Sequence, residues 1–145
     1  MKPIPRISVH NLQRKIRVDV ADLEQFAGRA LALCLNLLNT KRTELEMLSE
    51  VSVLIVSDRR MASLHHRFMS ATGPTDVITF QHGEIFMSAE MAAHNARRFG
   101  TSRGHELRLY IVHGLLHLHG FDDRTQAGAR KIRMTQEKIL AKAAV

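Results

Sequence analysis

Tryptophan is absent from this chain of 145 residues, and tyrosine and cysteine occur once each. A single cysteine, Cys34, excludes an internal disulfide and with it the disulfide-stapled secreted domains. Cys34 falls on an apolar helical face, so a packing role is expected rather than a reactive one. One tyrosine, six phenylalanines and no tryptophan provide no interleaved aromatic platform for stacking nucleic-acid bases. No apolar run approaches the roughly 18 residues of a membrane span. The start, Met1-Lys2-Pro3-Ile4-Pro5-Arg6, lacks the apolar core of a secretion signal. A cytoplasmic location and no membrane partner are therefore expected. No repeat, low-complexity tract or second domain is visible, and residues 1–145 are expected to form one domain with a real core.

What the chain has in excess is positive charge: net +7, with a pI of about 10.3. That balance favours a polyanionic partner. Without an aromatic platform, nucleic-acid binding would rest on phosphate contacts and weaken steeply with salt.

Residues 6–10 alternate like a short strand, and Asp19 or Asp22 can cap the helix that follows. Leu23, Phe26, Ala27, Ala30, Leu31, Cys34, Leu37 and Leu38 recur at helical spacing and predict a core-facing stripe. Thr43 to Ser49 reads as a polar connection with room for a helical turn. Val51 to Val56 is a β-branched, buried strand. Ser57 or Asp58 caps a helix carrying Met61, Leu64, His65 and Phe68, and Thr72–Asp76 is a turn by its chemistry. Val77–Phe80 and Glu84–Met87 are strands able to pair as a hairpin, in a direction the pattern leaves open. Ser88 opens a helix that Gly100 stops, and a last helix spans about Thr125 to Ala143. Between them, from Glu106 to Leu118, apolar residues occupy most of the helical circumference, which predicts a buried central helix. The expectation is an α/β (α+β) domain of about four strands in a small mixed sheet, packed with about five helices.

The central helix carries the chemistry. His113 and His117 are four residues apart, close to one helical turn, so both rings project from one face. Such a pair can hold a transition metal if a third ligand arrives. Gly120 can end the helix in a left-handed conformation, and Asp122 or Asp123 can then fold back. Nine histidines in the chain make one such pair by chance unsurprising. The apolar setting, the glycine stop and the returning acid give it weight.

The stretch HGLLHLHGFDD, residues 113–123, resembles the motif His-Gly-x-Leu-His-Leu-x-Gly-Tyr-Asp-His of the YbeY family, the bacterial rRNA maturation endoribonucleases. Gly73-Pro74-Thr75-Asp76-Val77-Ile78-Thr79-Phe80 is similar to that family's Pro-Thr-Asp-Val-Leu-Ser-Phe segment, and Gly83-Glu84-Ile85 to its Gly-Asp-Ile strand. Glu106-Leu107, and Met134 with Glu137, Ile139 and Leu140, match in the same order. The resemblance implies a compact α/β fold and one Zn2+ ion, or another divalent metal, on His113, His117 and Asp123. It further implies cleavage of single-stranded RNA in small-subunit rRNA maturation and ribosome quality control. The partners would then be rRNA and the small subunit, with no DNA.

Two departures stand out. Asp123 occupies the place of the family's last histidine; a carboxylate is an ordinary zinc ligand, but it adds negative charge and favours harder metals. Asp122 then matches the acid before that ligand. The family also carries a Tyr-Arg pair before its Pro-Thr segment, where Phe68 and Met69 stand here. Arg67, one position earlier, is the candidate for that phosphate-facing catalytic role; the alternative is a solvated surface arginine. His119, two residues past His117, is expected at the surface or at the helix end.

Three functional classes follow: a metal-dependent endoribonuclease, a non-enzymatic RNA-binding assembly protein with a structural metal, and a metallopeptidase-like hydrolase. Gly114 stands where His-Glu-x-x-His peptidases place their general base, and it cannot take a proton. That counts against the third class.

Overall fold

The computed structural model describes residues 4–37, 41–69 and 76–144. The expected turn at Thr72–Asp76, apart from Asp76, and Leu38 of the predicted helical stripe lie outside them.

The strands are β1 (Arg6–Asn11), β2 (Glu50–Val56), β3 (Val77–Thr79) and β4 (Glu84–Ser88). They form one sheet in the order β1-β2-β4-β3. β1 and β4 both run parallel to β2, and β3 pairs antiparallel with β4, Ile78 opposite Phe86. The open direction of the β3–β4 pair is thus resolved as a hairpin, closed by the Gly83 amide donating to the Phe80 carbonyl.

The helices are α1 (Val20–Leu35), α2 (Glu44–Met47), α3 (Asp58–Met69), α4 (Ala89–Phe99), α5 (Arg103–Leu118) and α6 (Gln126–Ala143). Five are those anticipated, although α1 ends at Leu35 with Asn36 as its cap, so Leu37 of the expected stripe lies past the helix. The sixth, α2, is the helical turn allowed for in the Thr43–Ser49 connection, and it is fixed by a reciprocal capping box between Thr43 and Glu46. Side-chain caps start the others where the sequence places them: Asp19, Ser88, Ser102 and Thr125 each accept from an amide three residues on. At α3 it is Ser57 that accepts, from the Arg60 amide.

The main core lies between one sheet face and helices α1, α5 and α6. Alternation in β2 turns Val51, Val53 and Ile55 into it, and the α1 stripe meets them through Leu23, Phe26 and Leu31. Cys34 is fully buried there, and burial pushes its thiol up to about 12. A smaller cluster of Val56, Met61 and Ile78 fills the opposite face under α3. Helix α5 touches α1, α2, α4, α6, β3 and β4, which is why it is apolar nearly all round. No helix among the described residues is long and apolar enough to cross a membrane.

One position sets how closely α5 approaches the sheet. Gly114 is buried, and a Cβ there would lie 2.7 Å from Ile85 Cγ2 and 2.9 Å from its Cδ1. Ile85 is fully buried and branched at Cβ, so its side chain cannot rotate aside at low cost. Gly114→Ala should therefore lower unfolding stability by about 1–2 kcal/mol in urea titration, despite gaining helix propensity. Adding Ile85→Ala should cost less in that variant than in the parent, since the clash is gone. Additive losses would show that the approach is not limiting.

Candidate metal centre

Helical spacing and the packed faces of α5 leave His113 and His117 on the side toward β3, both half-buried. Their Nε2 atoms face each other at 2.9 Å. The other ring nitrogen of His113, Nδ1, is hydrogen-bonded to the side-chain oxygen of Gln136 on α6. The His117 ring is held by a hydrogen bond to the Phe121 backbone.

The helix ends as a Schellman turn: the Phe121 amide donates to the Leu116 carbonyl and the Gly120 amide to that of His117. Gly120 takes φ 92°, a conformation costly for any side chain. The chain thereby reverses and brings Asp123 back over the rings. The donor atoms of His113, His117 and Asp123 all lie within 4.8 Å of one another. Asp122 is engaged elsewhere, its carboxylate 3.0 Å from the Arg124 guanidinium and accepting from the Arg124 amide, which holds it below its usual range. Of the two acids left open by the sequence, Asp123 is the one that joins the histidines. The loop is seated by a close approach, since a Cβ on Gly128 of α6 would meet the Asp122 carbonyl at 2.5 Å.

Two imidazole nitrogens and a carboxylate converging on one point suit zinc or another divalent ion. The 2.9 Å between Nε2 atoms approaches the roughly 3.3 Å expected of two nitrogens on a tetrahedral zinc. Among the described residues no fourth histidine, cysteine or carboxylate joins the group.

The group opens onto two grooves that share His117, Glu44 and Leu118. One, of about 270 Å³, runs along Val77–Gln81 of the β3 edge. The other, of about 370 Å³, is bordered by Lys41 and Arg42.

The sequence model of the family described as Endoribonuclease YbeY matches residues 8–144. The chain belongs to the YbeY family. Relatives described as Endoribonuclease YbeY include those of Thermobifida fusca, 34% identical with 65% of this chain and 72% of that one covered, and Acidothermus cellulolyticus, 32% identical with 68% and 73% covered. A third, from Frankia alni, is 32% identical over 65% of this chain, and the match spans 63% of that relative's length. A Thermotoga maritima protein solved in solution shares the fold, with a TM-score of 0.60 at 24% identity over 94% of this chain and 90% of that one.

Within this YbeY-type site, Arg67 stands apart. It lies exposed in the last turn of α3, its guanidinium 5.5 Å from the centre of the Phe68 ring, and lines neither groove. His119 is indeed at the helix end, but it is fully buried rather than at the surface. Its Nδ1 meets Thr43 Oγ1 at 2.9 Å and its Nε2 the Leu37 carbonyl at 3.3 Å, which ties the Lys41–Glu44 segment to the end of α5. Sequence reading missed Lys41, Arg42, Glu44 and Gln136 at this site. The pattern Thr43-x-x-Glu46 signals the capping box, but nothing local points to Gln136, which is 23 residues beyond its partner.

His117 is held below its usual 6.5, first by burial and then by the neighbouring charge of His113; Asp123, the Phe121 backbone and Asp122 pull the other way. The ligating form is the neutral ring. In the unfolded chain the proton binds near the usual value, so His117's contribution to stability is full above pH 6.5 and is lost as pH falls from there through the folded value. Zinc affinity titrated across pH should accordingly show no loss from His117 protonation until below pH 6.5. A collapse of affinity well above 6.5 would contradict this ordering.

Proposed function

We propose that this chain is a zinc-dependent endoribonuclease, residues 1–145 working as a single cytoplasmic domain. It cuts single-stranded RNA in small-subunit rRNA maturation and ribosome quality control. The observation that carries the reading is the convergence of His113, His117 and Asp123, with His117 lying where two grooves meet, one of them bordered by Lys41 and Arg42. Membership of the YbeY family supports RNA as the substrate class.

His113, His117 and Asp123 would hold the ion. When bound, a divalent ion lowers the pKa of water and polarises a phosphoryl oxygen. Three protein donors leave room for water and substrate, which supports a catalytic rather than a structural metal. Lys41 and Arg42 attract the phosphates of a strand lying in the adjoining groove, while the β3 edge walls the other side. Gly114 lies against Ile85 with no room for the glutamate of a peptidase. Arg67, exposed at the end of α3, would contact a phosphate only of a strand that runs past that helix end.

Purified protein stripped of metal should lose RNA cleavage and regain it with zinc, and His117→Ala should cut the rate at least about 100-fold. Equal cleavage by variant and parent would mean a contaminating nuclease and sink the enzyme reading. Separately, replacing Lys41 and Arg42 by alanine should weaken RNA binding and shallow its salt dependence by about one unit of log–log slope per charge. An unchanged slope would move the phosphate track elsewhere.

A further inference from the structure

Gln136 is buried, at 9% exposure, in a face of α6 otherwise made of Ile132, Ile139 and Ala143. Leucine would fill that place without the cost of desolvating an amide. Packing therefore does not account for it, whereas its hydrogen bond to His113 does. We propose that Gln136 is the positioning residue of the metal centre, setting the tautomer of His113 so that Nε2 carries the lone pair. This rests on reading the three-donor group as a metal site.

The logic is that of a two-state proton. With the Gln136 carbonyl oxygen against Nδ1, that nitrogen must carry the hydrogen and donate it. Nε2 is then unprotonated, and Nε2 is the atom that faces His117 across 2.9 Å. Were the amide turned to present its NH2, Nδ1 would accept, Nε2 would hold the hydrogen, and His113 could not ligate in that direction. The orientation of one carboxamide thus decides whether the donor pair is competent. A carboxylate commonly plays this part behind a ligating histidine. A carboxamide does so without adding charge, at a site where Asp123 already supplies a negative ligand.

The test uses the full chain without RNA, comparing Gln136→Leu and Gln136→Glu with the parent. Nitrogen-15 NMR of the metal-free protein reports the His113 tautomer, and competition with a chromophoric chelator reports zinc affinity. The parent should show the Nδ1–H form. Gln136→Leu should lose that bias and bind zinc about 10–100-fold more weakly, with its thermal midpoint retained. Gln136→Glu should restore the tautomer and bring affinity back to within a few-fold of the parent. A parent already in the Nε2–H form, or a leucine variant with unchanged tautomer and affinity, overturns the proposal. If Gln136→Leu does not fold, the parent tautomer and the glutamate variant still decide. His117→Ala in the same titration separates the two readings: if it too binds zinc like the parent, the metal site itself is refuted.

Discussion

The contact of Gly114 with Ile85 governs where everything functional can be. With no side chain at Gly114, α5 lies directly against Ile85 of β4, and it also touches β3. His113 and His117, on the helix side toward β3, line the groove beside Val77–Gln81. Helix α5 meets α1, α2, α4, α6, β3 and β4, which accounts for its being apolar nearly all round.

Electrostatically the site is a compromise. Two neutral imidazoles and one carboxylate leave a divalent ion net positive, which keeps it attractive to a phosphate. Burial and the opposing His113 charge depress the proton affinity of His117, so the ligating form is ready at neutral pH. Beyond it the cationic border of Lys41 and Arg42 extends the attraction along the surface. Their position depends on His119, whose ring bonds clasp the segment to the helix end.

The legible parts of this molecule were those written locally. Helical stripes, side-chain caps, the β-branched strand and the glycine stop at Gly120 each occupy a few consecutive residues, and each appears where its spacing puts it. So does the grouping of His113, His117 and Asp123, because one turn of helix and one reversal suffice to assemble it. The choice between Asp122 and Asp123 was not legible from spacing alone, since it depends on Arg124 capturing the first. The burial of His119 and the partnership of Gln136 with His113 were hidden for a different reason. Both come from packing between elements distant in sequence, and no periodicity encodes such a meeting.

The Schellman turn bears on the chain entropy of the site. All three donors lie on one helix and its terminal reversal, so closing the site means ordering only a short loop, with little chain entropy to overcome. The three donors lie within residues 113–123, so their grouping needs only α5 and its terminal turn. The hydrogen bond to Gln136, by contrast, needs α6 packed against α5. The donor set is thus local to one segment, while the setting of the His113 ring depends on packing between two helices.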